Sequence, residues 1–430
     1  MSDRQLKVAF HTLGCKLNFS ETSALSRKLE SSGFRNVSFD EDADIYVIHG
    51  CTVTEAADRK CRQAIKKTIR RSPGSFIVVA GCYAQLKHEE IARIQGVDLV
   101  LGTNEKYDIL EYLKDIKKRP QAEIHYCEKD ELHLFHPSFS GDRRTRSFLK
   151  VQDGCDYACS YCTIPQARGR SRNQAVRACV EDAEKIAAKG IKEIVLTGVN
   201  TGDFGKSTGE TFMELLEGLT AADGIERFRM SSVEPNLLTD EIIALVSASN
   251  KIMPHFHIPL QSGSDKILAK MRRRYTRELF ASRVRKIREM IPLAGIGADV
   301  IVGFPGESEE DYRESRDFIK SLDLSYLHVF SYSGRKGTPA AGMPGQVDNG
   351  MKHRRSKDLQ LLSEKKRRAF NKRCIGMKAD ILWESEDKPG FIAGFTGNYI
   401  RVLTHYDPEL KGKIRAHILK ESDENGNFIV

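Results

Sequence analysis

The stretch Gly154-Cys155-Asp156-Tyr157-Ala158-Cys159-Ser160-Tyr161-Cys162-Thr163-Ile164-Pro165 packs three cysteines into eight residues, and no fourth follows nearby. Structural zinc sites usually take four ligands, often as C-x2-C pairs. Three clustered thiolates fit an iron–sulfur cluster with one iron left open for a ligand. A zinc knuckle with a distant fourth ligand is the alternative.

The surroundings of this stretch indicate the fold. Short apolar runs at Phe148–Gln152, Glu193–Thr197, Arg227–Ser231, His255–Leu260, Gly297–Val302 and Tyr326–Phe330 alternate with helical patterns such as Asn173–Lys189 and Thr276–Met290. Six βα units in succession suit an open or partial barrel. The cysteines then lie just after the first strand, at the end where barrels carry reactive groups.

Upstream, strands are expected at Lys7–Phe10, Ala43–Ile48, Phe76–Ala80 and Val97–Leu101, with helices at Glu21–Ser32, Glu55–Arg71 and His88–Gln95. This alternation predicts a flavodoxin-like parallel sheet over residues 1–125. A polar connection at Asp130–Ser147 separates it from the barrel segment, 141–373. From Gly376 the pattern becomes short alternating strands with Gly turns (KADILWES, GFIAGFTG, YIRVLTH, GKIRAHIL), predicting a small antiparallel barrel over 376–430.

A second trio emerges from placement rather than spacing. Cys15, Cys51 and Cys82 each follow a strand and a glycine (Gly14, Gly50, Gly81), although they lie 36 and 31 residues apart. Ligands of open parallel sheets bind beyond the carboxyl ends of the strands, so the three thiols should converge there. Small cysteines ending buried strands are the plainer reading. Cys61, Cys127, Cys179 and Cys374 lack this placement.

The net charge of +9 is unevenly spread. Arg59–Arg71 holds seven basic residues and no acidic one, Lys270–Arg288 nine against Glu278, and Met351–Arg373 ten against Asp358 and Glu364. Solvated helix faces or a nucleic-acid footprint both fit such runs. The start, MSDRQLK, has no apolar signal core, and no apolar run approaches a membrane span, so a cytoplasmic protein without a membrane partner is expected.

The C-x3-C-x2-C loop resembles the radical S-adenosylmethionine superfamily. There the open iron chelates the amino and carboxylate groups of S-adenosylmethionine, and electron transfer cleaves the sulfonium to give a 5′-deoxyadenosyl radical. Thr197–Asn200, Ser231–Pro235, Pro259–Ser264 and Ile301–Glu307 match the strand-end loops of that family's cofactor cradle. By that resemblance Gly198, Asn200, Ser232, Glu234 and Gln261 are candidate cofactor contacts, although strand ends carry such residues for structural reasons too.

With TLGCKLNFSET, HGCTVTEAADRK, VAGCYAQ, HIPLQSGS and IVGFPGES added, nearly the whole chain resembles the methylthiotransferases. The resemblance implies two [4Fe–4S] clusters, an auxiliary one on Cys15, Cys51 and Cys82 and a radical one on Cys155, Cys159 and Cys162. It implies a C-terminal TRAM module that grips RNA, and no side-chain acid or base as catalyst. Replacing an unactivated aromatic C–H by C–SCH3 needs radical chemistry, which the clusters carry. Lys16 after Cys15 looks like the branch acting on N6-threonylcarbamoyladenosine beside the tRNA anticodon; the isopentenyladenosine branch typically has Gln there. The same chemistry on isopentenyladenosine tRNA or a ribosomal protein, a zinc-dependent RNA-binding protein, and a flavin-binding first domain are the rivals. A monomer served by an external electron donor such as flavodoxin or ferredoxin is expected.

Overall fold

Ile45–Gly50 and Phe76–Gly81 are buried at every position, as strands are in the middle of a parallel sheet covered on both faces. They are β3 and β4 of an N-terminal unit running β1 (Lys7–Thr12), α1 (Lys16–Ser31), β2 (Arg35–Val37), β3, α2 (Glu55–Arg71), β4, α3 (Cys82–Ala92), β5 (Leu99–Leu101), α4 (Ile109–Tyr112) and β6 (Glu123–His125). All pairs are parallel, in the order β2-β1-β3-β4-β5-β6. Apolar cores form on both faces, around Tyr46 and Ile77 on one and Val47 and Val78 on the other. The edge strands β2 and β6 escape the sequence pattern because each is three residues long with little burial. Two helices also begin earlier than expected. α1 starts at Lys16 and α3 at Cys82, directly off the preceding strand, and α3 breaks helical geometry at Lys87.

This computed structural model describes residues 5–141, 144–423 and 426–430. Its middle unit comprises β7 (Arg146–Lys150), β8 (Gln152–Asp153), α5 (Ile164–Arg168), β9 (Arg172–Asn173), α6 (Val176–Ala187), β10 (Glu193–Thr197), α7 (Phe212–Ala221), β11 (Arg227–Met230), α8 (Asp240–Ala248), β12 (His255–Gln261), α9 (Asp265–Lys270), α10 (Arg277–Met290), β13 (Gly295–Val302), α11 (Glu309–Ser321) and β14 (Tyr326–Ser331). Parallel triplets β11-β10-β7 and β12-β13-β14 are joined by bridges at Phe228–Ile252 and Ser232–His257. The six expected strands thus form one partial barrel in sequential order.

The outward residues of these strands (Leu149, Ile194, Phe228, Ile258, Val300, Leu327) share one apolar core with the covering helices. By strand alternation the inward positions are then Arg146, Phe148, Lys150, Glu193, Thr197, Arg229, His255, His257, Asp299, Tyr326 and His328. A packed barrel interior is dominated by branched aliphatics; this set is polar and charged instead, with Lys150, Glu193 and Arg229 buried in ion pairs and His257, Asp299, Tyr326 and His328 left part exposed around a chamber. Among the described residues, no helix is long and apolar enough to cross a membrane.

Helix α12 (Asn349–Arg373) leads to β15 (Lys378–Lys388), β16 (Phe391–Thr396), β17 (Arg401–His405), β18 (Ile414–Ile418), β19 (Glu421–Ser422) and β20 (Phe428–Ile429). The four longer strands pair antiparallel as the sequence suggests. The sheet differs from a closed antiparallel barrel in its order, β18-β15-β16-β17-β20-β19, and in the parallel pair β17–β20. Hydrogen bonds between Asp423 and Asn427 turn the chain end back so that Phe428 lies alongside Val402. The turn after β16 plugs the N-terminal end of the partial barrel: Arg229 donates to the carbonyls of Gly397 and Thr396, and Arg227 to that of Asp380.

Candidate active site

The loop holding Cys155, Cys159 and Cys162 is closed at its base by the two-residue antiparallel ladder of β8 and β9. Gly154 is the residue that permits this closure. Its φ is +68°, and a Cβ there would lie 1.9 Å from the carbonyl oxygen of Arg170. Each sulfur has its own donor. Tyr157 N–H points at Cys155 Sγ at 3.4 Å, Ile164 N–H at Cys162 Sγ at 3.5 Å, and the Arg273 guanidinium at Cys159 Sγ at 3.1 Å. Burial raises the Cys155 thiol to about 11 and the Cys162 thiol to about 12, and the neighbouring sulfurs add to both shifts. N–H donors aimed at three adjacent sulfurs are what metal-bound thiolates require, so these residues fit a cluster.

The second trio also converges. A Cβ on Gly14 would lie 3.0 Å from Cys51 Sγ, which places the Cys15 loop directly on Cys51. Burial pushes the Cys51 thiol up to about 12, followed by the charges of Cys82 and Cys15. Cys15 caps α1 and Cys82 opens α3, so two helix N-termini, with their positive dipole ends, face the sulfurs. The room left by the other two glycines is taken up by the protein itself. A Cβ on Gly50 would strike Tyr83, and one on Gly81, whose φ is +91°, would strike the ring of His49. Cys61 lies behind the trio, its Sγ donating to the Cys51 carbonyl at 3.6 Å.

The sequence reading missed the residue that joins the two trios. Arg168, on α5, is fully buried. Its Nε donates to Cys82 Sγ at 3.2 Å, Nη1 to Glu21 at 2.9 Å and Asp153 at 3.0 Å, and Nη2 to Asn18 at 2.9 Å. Lys150 reaches Glu21 and Asp153 at 3.0 and 2.6 Å, Lys106 reaches Glu21 at 3.3 Å, and Arg172 reaches Asp153 at 3.3 Å. Against the upward push of burial, Arg168, Lys106 and Lys150 hold Glu21 well below the usual carboxylate range. Four cations therefore share two carboxylates beside Cys82. Such a buried surplus of positive charge calls for an anion, and thiolates bound to a metal cluster supply one.

The candidate cofactor contacts cluster at the carboxyl ends of the barrel strands. Gln152 fixes the first of these loops: its Oε1 accepts from Val199 and Asn200 N–H, both at 2.9 Å. Gly198 has no Cβ to strike the Gln152 side chain, which would lie 2.9 Å away. The Asn200 side chain is buried with neither its oxygen nor its nitrogen hydrogen-bonded. Ser232 Oγ pairs with His257 Nδ1 at 2.6 Å. Glu234 is committed to Arg273, so carboxylate, guanidinium and Cys159 form one chain. Gln261 ends β12 in the left-handed region, φ 65°, at a bulge after Pro259. Non-glycine residues pay about 1 kcal/mol or more to sit there, and functional sites are where such strain gathers.

The chamber between these loops and the C-terminal plug holds Asp299, bridged by His257 at 3.0 Å and His328 at 3.2 Å. Lys16 enters it from α1. Its side chain is exposed, yet the surrounding protein lowers its pKa to about 8, first by desolvation and then through the charges of Arg146 and Arg229. Of the basic runs, the second and third are not uniform solvent faces. Arg273 is bound to the cysteine loop, and Arg355 is buried against Glu307 at 2.6 Å.

A partial barrel with a three-thiol loop at its mouth defines the radical S-adenosylmethionine class. Residues 149–319 match the family described as "Radical SAM superfamily", and residues 7–102 match "Uncharacterized protein family UPF0004". The domain implies a [4Fe–4S] cluster and S-adenosylmethionine. Over 424 residues the chain is 40% identical to the threonylcarbamoyladenosine tRNA methylthiotransferase MtaB of Bacillus subtilis (strain 168), covering 96% of this chain and 94% of that one. It is 34% identical to the tRNA-2-methylthio-N(6)-dimethylallyladenosine synthase of Clostridium tetani (strain Massachusetts / E88), covering 90% and 88%. Among solved structures it is similar in fold to the radical S-adenosylmethionine methyltransferase TsrM of Kitasatospora setae, with TM-score 0.56, 15% identity, and 89% and 79% of the two chains covered. The chain belongs to the methylthiotransferase family.

Proposed function

We propose that the protein converts N6-threonylcarbamoyladenosine at position 37 of tRNA, next to the anticodon, to its 2-methylthio derivative. Cys155, Cys159 and Cys162 would hold the [4Fe–4S] cluster that binds S-adenosylmethionine. Cys15, Cys51 and Cys82 would hold a second, auxiliary cluster. The observation that carries this reading is that one buried guanidinium, Arg168, touches Cys82 and also Asp153, two residues before Cys155. Two sites that must act on one substrate carbon are thereby held at a fixed separation.

When bound, the two groups supply radical chemistry at the first and a sulfur source at the second, chemistry that no side chain can provide. The chain's own residues bind and orient. Asn200, whose loop Gln152 holds and Gly198 leaves room for, offers an unpaired amide to the amino-acid part of the cofactor. Ser232, Gln261 and the Glu234–Arg273 pair frame the remainder of that site. The open edges of the chamber carry the approach for RNA. One groove, about 460 Å³, runs between β14, α12 and the C-terminal sheet and is lined by Arg367, Arg401 and Gln360. Unpaired bases of an anticodon loop are the form of RNA that enters such a chamber. An external one-electron donor such as flavodoxin or ferredoxin, a monomeric state and a cytoplasmic setting complete the proposal.

The test is nucleoside mass spectrometry of tRNA from a strain lacking this gene and any redundant enzyme. Loss of 2-methylthio-N6-threonylcarbamoyladenosine with accumulation of its precursor is expected; persistence of the methylthio nucleoside refutes the assignment. The name of the Clostridium tetani relative keeps N6-isopentenyladenosine tRNA as the second reading, and the same spectra would show the isopentenyl precursor accumulating instead.

A further inference from the structure

The floor of the chamber carries a charge imbalance of its own. Glu193 takes a bidentate contact from Arg229 at 2.9 and 3.3 Å, with Arg146 and Arg227 each 3.8 Å away. Arg146 Nε also donates to Glu384 at 2.7 Å. Lys16 brings a fourth cation: it is the first residue of α1, the helix that packs against β7 and so beside Arg146, and its side chain is exposed. Two carboxylates therefore face four cations. The guanidiniums are mostly engaged, but the Lys16 ammonium has no hydrogen-bond or ion-pair partner among the described residues. An exposed ammonium beside guanidiniums that are already engaged is the one cation of the group with donors to spare, and a carboxylate is the group that would take them.

The C-terminal sheet shapes that space from below. Tyr399 sits at φ 70°, a left-handed conformation in a bulky residue. Its ring stacks on Phe395 at 4.9 Å, lies 4.6 Å from the His255 ring, and has Arg229 and Arg146 over it at 4.8 and 5.8 Å. A strained tyrosine from another unit, capped by two guanidiniums, is a built floor rather than an incidental contact.

We propose that Lys16, Arg146 and Arg229 above Tyr399 form a carboxylate-binding subsite that receives the acidic tail of the substrate's N6 substituent. This deepens the function proposed above and rests on it. A carboxylate would accept from the free ammonium and neutralise the cationic excess. An aliphatic tail would cover the ammonium and leave it unpaired, so the pocket discriminates by repelling the wrong substituent as well as by binding the right one.

The experiment uses full-length protein loaded anaerobically with iron and sulfide, and three synthetic anticodon stem-loops. These carry N6-threonylcarbamoyladenosine, its neutral carboxamide analogue, or N6-isopentenyladenosine; binding and 2-methylthio product are measured for each. The wild type should favour the acid over the carboxamide by roughly 10- to 100-fold, the range of a hydrogen bond to a charged group. Lys16→Met should reduce that preference to about threefold or less, and Lys16→Arg should restore most of it. Equal use of acid and carboxamide by the wild type, or a full preference retained by Lys16→Met, overturns the subsite. If Lys16→Met fails to take up iron, Lys16→Arg and Tyr399→Leu decide by the same ratio. A wild type that ignores the threonylcarbamoyl stem-loop and modifies the isopentenyl one overturns the substrate reading itself, a result distinct from loss of discrimination.

Discussion

Cys155, Cys159 and Cys162 come from eight residues of one loop, whereas Cys15, Cys51 and Cys82 are delivered by the ends of three parallel strands. The first set is assembled by local geometry: a two-residue ladder at the loop base, two backbone N–H donors, and Arg273. The second exists only if β1, β3 and β4 hold their register, and the one side-chain donor to it among the described residues, Arg168, comes from the other unit. A local site can form before its domain is complete. A dispersed site inherits every weakness of the sheet that carries it, because a register slip of one residue would turn each strand end to the other face. The two sites should therefore fail separately when a thiol is removed and together when Arg168 is.

Removing thiols gives the largest effect and tests the separation directly. Cys159→Ser should lose about half of the roughly eight irons expected for two [4Fe–4S] clusters and all reductive cleavage of S-adenosylmethionine. Cys51→Ser should lose the other half, keep 5′-deoxyadenosine formation and abolish methylthiolation. Iron analysis with product chromatography reads both, and an unchanged iron content in Cys51→Ser would remove that trio from the metal chemistry.

Arg168→Gln should couple the failures. It leaves Glu21 and Asp153 short of a buried cation and Cys82 without its donor, a loss of about 3–5 kcal/mol by the usual cost of breaking a buried charge network. The first urea transition should move to lower concentration, and iron should fall at both sites. Arg273→Gln cuts only the Glu234–Cys159 chain, so its iron loss should be confined to the loop cluster. If the two variants give the same pattern, Arg168 is no bridge.

These differences also explain what the sequence could reveal. The C-x3-C-x2-C loop is a pattern in itself, and the dispersed trio became readable once the strand–Gly–Cys placement was seen three times. The six barrel strands were readable because each has an apolar outer face. Arg168 was not, since its partner Glu21 lies 147 residues away and nothing around it in Pro165–Arg170 marks it as buried. Arg273 was hidden in a basic run that looks like an RNA-facing surface. Tyr399 carries no signal at all, because its role depends on how the C-terminal sheet meets the barrel floor. Chain segments reveal their own periodicity; pairings between distant segments become visible only in the fold.

The smallest expected effect concerns the connection that crosses the Arg168 network. His136 stacks on Tyr107 with ring centroids 3.9 Å apart, and its buried Nε2 has no hydrogen-bond partner. Burial lowers its pKa to about 4, helped by Lys150, Lys106 and Arg172 and opposed by Glu21. Above the ordinary histidine value near 6.5 both folded and unfolded chains hold it neutral, and it adds no pH dependence. Below that value the unfolded chain takes up the proton first, so stability is lost progressively until the pH reaches about 4. Partial exposure limits the loss to about 1–2 kcal/mol across that window. His136→Phe keeps the stack without the titration, so its urea midpoint should fall less between pH 6.5 and 4.5 than that of the wild type. Carboxylates and the other histidines titrate equally in both proteins, which leaves the difference between the two slopes to His136. Parallel slopes would mean that the ring is protonated in the folded chain as readily as in the unfolded one, and that the cations around Arg168 do not reach the connection electrostatically.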